Sequence, residues 1–438
     1  MESWFLSLLL LFGLLVVGMA SGLPVAFTFI TINVVGLSLF LGGFNALTLL
    51  GGSAYNGIAQ FALIPVPLFI LMGEILMRSG LASATVDAAD QWVGRVPGRL
   101  AISAVGGGTL FGALSGSSMA SVAMLGSMLV PEMERQNYKP QMSVAPILGA
   151  GGLAVLIPPS ALGVLLGALA KVSIAELLIA ALVPGLVMAS FYGLYFIGRA
   201  YLQPHLAPPY EAESLPILQR LKTLRHLVPL GGLVVVVTGF IFLGIATPSE
   251  TAAMGAAASA LLAAAYGRLT WSVLRESMMA TLATTAMVML IIVGSTAYSQ
   301  LLAVTGVTSG LVEGVTELDL SPVMMVIVMQ ILVLILGCFI DTISIMLITI
   351  PIFMPIVQTL GMDPIWFSIL ILIQLELAGI TPPFGVLLFV MKGVRPQLSI
   401  IDIYRAAFPI VLLQFLVIAL VIAFPGLTSW LPSLMVRN

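Results

Sequence analysis

Charge is scarce in this chain. Only 8% of its 438 residues are Asp, Glu, Lys or Arg, against about 25% in soluble domains. The formal net charge is -2, so there is no basic surface of the kind nucleic acid requires, and no nucleic-acid partner is expected. A single cysteine, Cys338, excludes an intrachain disulfide and a cysteine metal cluster. The two histidines, His205 and His226, both fall in one polar stretch, which leaves haem and zinc chemistry without ligands. Paired carboxylates, a nucleophile elbow and a phosphate loop are also missing from any suitable context, so the chain is not read as an enzyme. The longest polar stretch runs only from Arg199 to His226, so no soluble domain of any size is expected. Glu2 has the wrong sign for the basic start of a signal peptide, and the first apolar run is read as a retained membrane helix.

What remains is apolar: 60% of the residues are hydrophobic. They form continuous runs near the roughly 20 residues that cross a bilayer as a helix. These runs do not alternate, which argues against a β-barrel. The reading is an all-α polytopic membrane protein embedded in the lipid bilayer.

The chain also repeats itself at an offset of 224 residues. Pro24, Pro131, Pro140 and Pro158-Pro159 recur as Pro248, Pro355, Pro364 and Pro382-Pro383; Leu153-Ala154 recurs as Leu377-Ala378, and Asp341 stands where the first copy has Ser117. This is the mark of a transporter built from two structural repeats. The expected division is a first repeat over 1–198, a linker over 199–226 and a second repeat over 227–438. Each repeat is expected to hold a helical hairpin, near 100–131 and 322–362, and a broken helix, at 158–159 and 382–383. A short amphipathic connection over 82–94 precedes the first hairpin. Loop charges set the orientation. Arg78, Arg95 and Arg99 lie on the connection before the first hairpin, whereas Glu313, Glu317 and Asp319 precede the second without any Lys or Arg. The positive-inside rule therefore puts the two repeats in opposite orientations, with the linker and Lys392–Arg395 on the cytoplasmic side and about ten crossing helices.

The hairpin expectation rests on composition. Phe111–Ser121 contains Gly112, Ser115, Gly116, Ser117, Ser118 and Ser121. Glycine permits a turn at mid-membrane, and serine hydroxyls satisfy the backbone groups that the turn releases. A double proline inside an apolar helix removes two donors and frees carbonyls upstream, which a cation would satisfy. The half-helix that restarts afterwards aims its N-terminal dipole at the same place, which suits an anion. Asp341 is the costliest residue of the chain, since a charge at the bilayer centre costs on the order of 3 kcal/mol. It is either a hairpin cap or a cation ligand. Glu376, six residues before the second double proline, is a cation ligand or a partner of hairpin backbone. Glu74 is expected to pair with Arg78 at i,i+4. Cys338 is read as packing on the helical face of Asp341.

Two runs carry a family resemblance. Gly112-Ala113-Leu114-Ser115-Gly116-Ser117-Ser118-Met119-Ala120, with Gly126-Ser127 and Pro131-Glu132-Met133, resembles the large membrane subunit of TRAP (tripartite ATP-independent periplasmic) transporters; Glu376 through Pro382-Pro383-Phe384-Gly385 is similar to that family's second signature. Gln374 stands where the family often has Asn. The resemblance extends over essentially the whole chain and implies an elevator-type, Na⁺-coupled importer of carboxylates in the bacterial inner membrane. It also implies two partners on separate chains: a small four-helix membrane subunit and a periplasmic substrate-binding protein. On this reading Ser115, Gly116, Ser117 and Pro158 contribute to one Na⁺ site. Asp341, Thr342, Thr381, Pro382 and Glu376 contribute to a second. The hydroxyls of Ser118, Ser160, Thr342 and Ser344 face an organic-anion substrate. The rival reading is a stand-alone Na⁺/carboxylate symporter of similar fold that needs no binding protein. A channel or a membrane enzyme fits less well.

Overall fold

The computed structural model describes residues 3–40, 48–81, 88, 90, 92, 96–208, 217–317 and 320–436, and every regular element among them is helical. Most of the amphipathic connection over 82–94, together with Arg95, Asp319 and the centre of the 199–226 linker, lies outside the described residues.

The first half runs α1 (Ser3–Ala20), α2 (Val25–Phe40), α3 (Thr48–Ile58), α4 (Pro65–Arg78), α5 (Arg99–Ser115), α6 (Ser118–Arg135), a single turn α7 (Pro140–Ser143), α8 (Ala145–Leu156), α9 (Ala161–Ala170) and α10 (Ile174–Leu202). The second runs α11 (Ile217–Phe242), α12 (Pro248–Ala265), α13 (Trp271–Val304), α14 (Val307–Glu317), α15 (Pro322–Gly337), α16 (Thr342–Thr359), α17 (Pro364–Ile380), α18 (Val386–Val394), α19 (Ile400–Ala423) and α20 (Gly426–Ser433). The sequence echo is also an echo of helix starts. Ser118 opens α6 and Thr342 opens α16; Pro140 opens α7 and Pro364 opens α17. One departure is α13, a continuous helix of 34 residues that stands opposite the interrupted pair α3 and α4.

Among the described residues, five helices are long and apolar enough to cross a membrane, and α7–α8 with α9, bent by 46° at their break, make a sixth if taken as one span. Five further apolar helices are shorter, which accounts for the distance from the expected ten. Breaks and helix ends trim them: the 16 residues of α15 rise only about 24 Å, less than the roughly 30 Å hydrocarbon core. Together these helices make a multi-pass membrane protein.

Two bodies emerge from the packing. In the first the halves interlock, with α4 lying on α12 and α2 on α13. Buried Asn33 donates from Nδ2 to the Gly294 carbonyl at 2.7 Å across that second contact. In the other body the hairpins α5–α6 and α15–α16 pack on α8 and α17, with α10 and α19 behind them. Small residues let these helices approach closely. A Cβ added to Gly112 would stand 3.0 Å from Cβ of Ala154, and one added to Gly337 would stand 2.0 Å from Cβ of Ala378. The same small-on-small contact thus joins the first hairpin arm to the broken helix in each half.

Candidate functional site at the hairpin tips

Each hairpin turns over a capping residue. Gly116 ends α5 in the left-handed region at φ 60°, and Ser117 swings extended and accepts the Ala120 N–H at 3.3 Å. The Ser121 hydroxyl ties the turn by donating to the Ser117 carbonyl at 2.9 Å and lying 3.0 Å from Ser115 Oγ. In the second half Asp341 takes the N-cap position. Its carboxylate accepts the Ser344 N–H at 3.1 Å and the Ser344 hydroxyl. Ser117 and Asp341 are therefore equivalent caps, and only the second brings a charge. Cys338 does not share a helical face with Asp341, because α15 ends at Gly337; its thiol instead points to the Leu334 carbonyl at 3.4 Å and toward that of Pro382 at 3.7 Å.

The breaks are built alike and placed differently. Both prolyl bonds, Pro158-Pro159 and Pro382-Pro383, are cis. Ser160 caps α9 by accepting the Gly163 N–H at 3.0 Å. Gly385 precedes α18, where a Cβ would stand 2.7 Å from the Gly379 carbonyl oxygen and 2.9 Å from Thr381 backbone atoms, so only glycine fits. The whole first break is buried, while Pro382, Pro383 and Phe384 are exposed. Tyr404 donates to the Pro383 carbonyl at 2.6 Å, covering one acceptor that the second break leaves open.

Both tips open onto one cavity of about 610 Å³ between the two bodies. One wall holds Ser115, Gly116, Ser117, Ser118, Asp341, Thr342, Ser344 and Glu376; the other comes from the start of α2, from Val66, Ile70 and Glu74 on α4, and from Thr284, Met287, Val288 and Ile291 on α13. Four helix N-termini of the tip-bearing body end here, those of α6, α9, α16 and α18. Each carries a partial positive charge of about half a unit. Among the described residues no Lys or Arg lines the cavity.

Of the residues singled out in the sequence, Ser160, Pro158, Thr381 and Pro382 do not line this space. The Ser160 hydroxyl is engaged as a cap, and that of Thr381 donates to the Leu377 carbonyl at 2.6 Å. Glu376 is 2% exposed, and its Oε1 accepts from Ser118 Oγ at 2.7 Å, a side chain and not hairpin backbone. This bond ties the first tip to the second half. The sequence reading missed the wall opposite. Glu74 pairs with Arg78 at 2.8 Å as expected, yet it also faces the cavity. Its neighbour Gly73 carries the signal, since a Cβ there would stand 2.5 Å from the Ser115 carbonyl oxygen, marking where α4 meets the first tip.

The family model for the DctM component of the tripartite ATP-independent periplasmic transporter matches residues 12–427. The chain belongs to this family. The C4-dicarboxylate TRAP transporter large permease protein DctM of Pseudomonas aeruginosa is 35% identical over 379 residues, covering 85% of this chain and 87% of that protein. The ectoine TRAP transporter large permease protein TeaC of Halomonas elongata is 30% identical over 97% of this chain and 98% of its own. Among solved structures, the Alcanivorax borkumensis YdaH transporter superposes with a TM-score of 0.61 over 88% of this chain and 90% of its own, at 17% identity; that likeness concerns the fold alone. This TRAP large permease thus holds its cavity between two bodies, one of which carries both hairpin tips and both broken helices.

Proposed function

We propose that this chain is the large permease of a Na⁺-coupled importer of an organic anion in the bacterial inner membrane. It works with a small four-helix membrane subunit and a periplasmic substrate-binding protein. The observation that carries the reading is the convergence of four helix N-termini of one body on one cavity that, among the described residues, no Lys or Arg lines. Aligned backbone dipoles attract a carboxylate there. Asp341 and Glu376, on the same wall, give a cation its charge partner. Among the described residues no three His, Cys, Asp or Glu gather in metal-binding range. Na⁺, as a transported ion, would rest on hydroxyl and carbonyl oxygens of the tips beside one carboxylate, the oxygen ligands that hard cations take.

The body bearing both tips moves its cavity wall against the body formed by α2, α4, α12 and α13, in an elevator motion. Opposite loop charges support an inverted orientation of the two halves. The substrate class is a carboxylate, with a C4-dicarboxylate, a sugar acid or an oxo acid as candidates.

Reconstitution tests this reading. In vesicles holding the permease, the small subunit and the binding protein, uptake of a labelled carboxylate should need an inward Na⁺ gradient. Asp341→Ala should abolish it. Full Na⁺-driven uptake by that variant removes Asp341 from the cation site. Uptake that persists when the binding protein is omitted selects the stand-alone symporter instead.

A further inference from the structure

On the side of Glu376 away from the tips, polar side chains meet where the fold gives them no protein partner. Gln414, midway along α19, is fully buried, and neither its amide nitrogen nor its oxygen has a hydrogen-bond partner. The fully buried Tyr192 hydroxyl on α10 also makes no hydrogen bond of good geometry. Its neighbours are the Gln414 side chain, close enough to interact with it directly, and the Glu376 carboxylate. Leaving such groups unmade is costly, and Leu or Phe would fill the same space without that cost. Two glycines of α8 make room for them. A Cβ on Gly149 would stand 3.1 Å from Tyr192 Cε2. One on Gly152 would stand 3.0 Å from Gln414 Nε2 and 3.7 Å from Glu376 Oε2. The amide nitrogen and the carboxylate therefore both approach the face that Gly152 leaves bare, and no hydrogen bond joins them.

We propose that this space binds a single structural water, and that Gln414 and Tyr192 act through it as positioning residues for Glu376. The chemistry selects water over a cation. The amide nitrogen is the Gln414 atom nearest the bare face of Gly152 that Glu376 Oε2 also approaches, so a cation there would meet a donor. Water accepts from Gln414 Nε2 and donates to Glu376 Oε2, with the Tyr192 hydroxyl as third partner. That is within the roughly two to four partners a buried water needs, and polar groups separated in this way are bridged at little cost. Glu376 is then held from both sides: Ser118 fixes one oxygen at the cavity, and the water fixes the other from behind. The positioning role rests on the proposed Na⁺-coupled function; the water site does not.

Two measurements separate the two claims. In a high-resolution map of the complex, a density peak should lie within hydrogen-bonding distance of both Gln414 Nε2 and Glu376 Oε2, and it should vanish in Gln414→Leu. No peak there overturns the water site, as does a Na⁺-dependent peak ringed by oxygen ligands at the shorter distances of a cation. In uptake, Gln414→Leu should raise the Na⁺ concentration for half-maximal rate by about tenfold, the scale at which groups supporting an ion ligand act. The maximal rate should change far less. Tyr192→Phe, which removes one oxygen and keeps the ring, should shift it in the same direction by less. An unchanged Na⁺ half-saturation in both variants, with Glu376→Gln shifting it, overturns the positioning role. If wild-type uptake proves indifferent to Na⁺, the proposed function and the positioning role fall together, and the map alone decides the water.

Discussion

Asp341 and Ser117 occupy one position in the two halves and do the same local work, capping the helix that returns from the hairpin tip. Their difference is a full negative charge at the cavity wall. Substitutions can separate these jobs. Asparagine caps a helix about as well as aspartate, so Asp341→Asn should keep thermal stability in detergent near wild type. It should still lose Na⁺-driven uptake if the charge serves the cation. Equal uptake by Asn and Asp would leave only the cap. Ser118 is the complementary case: its hydroxyl makes the bond that ties the first tip to Glu376 across the halves. Ser118→Ala leaves a buried carboxylate oxygen without its donor, at a cost of about 1.5–3 kcal/mol, which a denaturation midpoint would register. Both residues stood out in the sequence, because a charge and a serine cluster are conspicuous in apolar surroundings. Glu74 did not, because its pair with Arg78 already explained it.

At the scale of elements, the hairpins and broken helices were legible wherever proline and glycine set the boundary. Pro140 and Pro364 open equivalent helices, and both double prolines interrupt them where a donor is missing. Exposure was not legible, since the two breaks share their double proline while one is buried and the other open. That difference comes from what packs around each break, which no local pattern encodes. The packing of each hairpin on its broken helix depends on small residues. In the second half the contact is tightest, so Gly337→Ala should destabilise by about 1–3 kcal/mol through overpacking. Gly306→Ala, where a Cβ meets nothing within 4 Å but φ is +73°, should cost only the smaller backbone penalty of about 1 kcal/mol. Equal losses in the two variants, measured by thermal unfolding, would mean that α15 and α17 are not locked by that contact.

At the scale of the whole molecule, the cavity lies between two bodies that each draw helices from both halves, and sequence patterns along one helix cannot report such a seam. The seam is close where Gly73 of α4 meets the Ser115 carbonyl. A backbone carbonyl cannot swing aside as a long side chain does. Gly73→Leu should therefore disfavour this arrangement of the bodies and depress uptake severely, while the hairpin body itself keeps its fold. Wild-type uptake by that variant would show that the bodies do not need this approach during the cycle. The four helix ends at the cavity have a further consequence for engineering. If they supply the pull on the cargo's carboxylate, that pull belongs to the peptide chain and no single side-chain exchange can delete it. A change of cargo would then be sought among the apolar lining residues such as Ile70, Leu165 and Met287, which can be recut for size and shape while the attraction for negative charge stays in place.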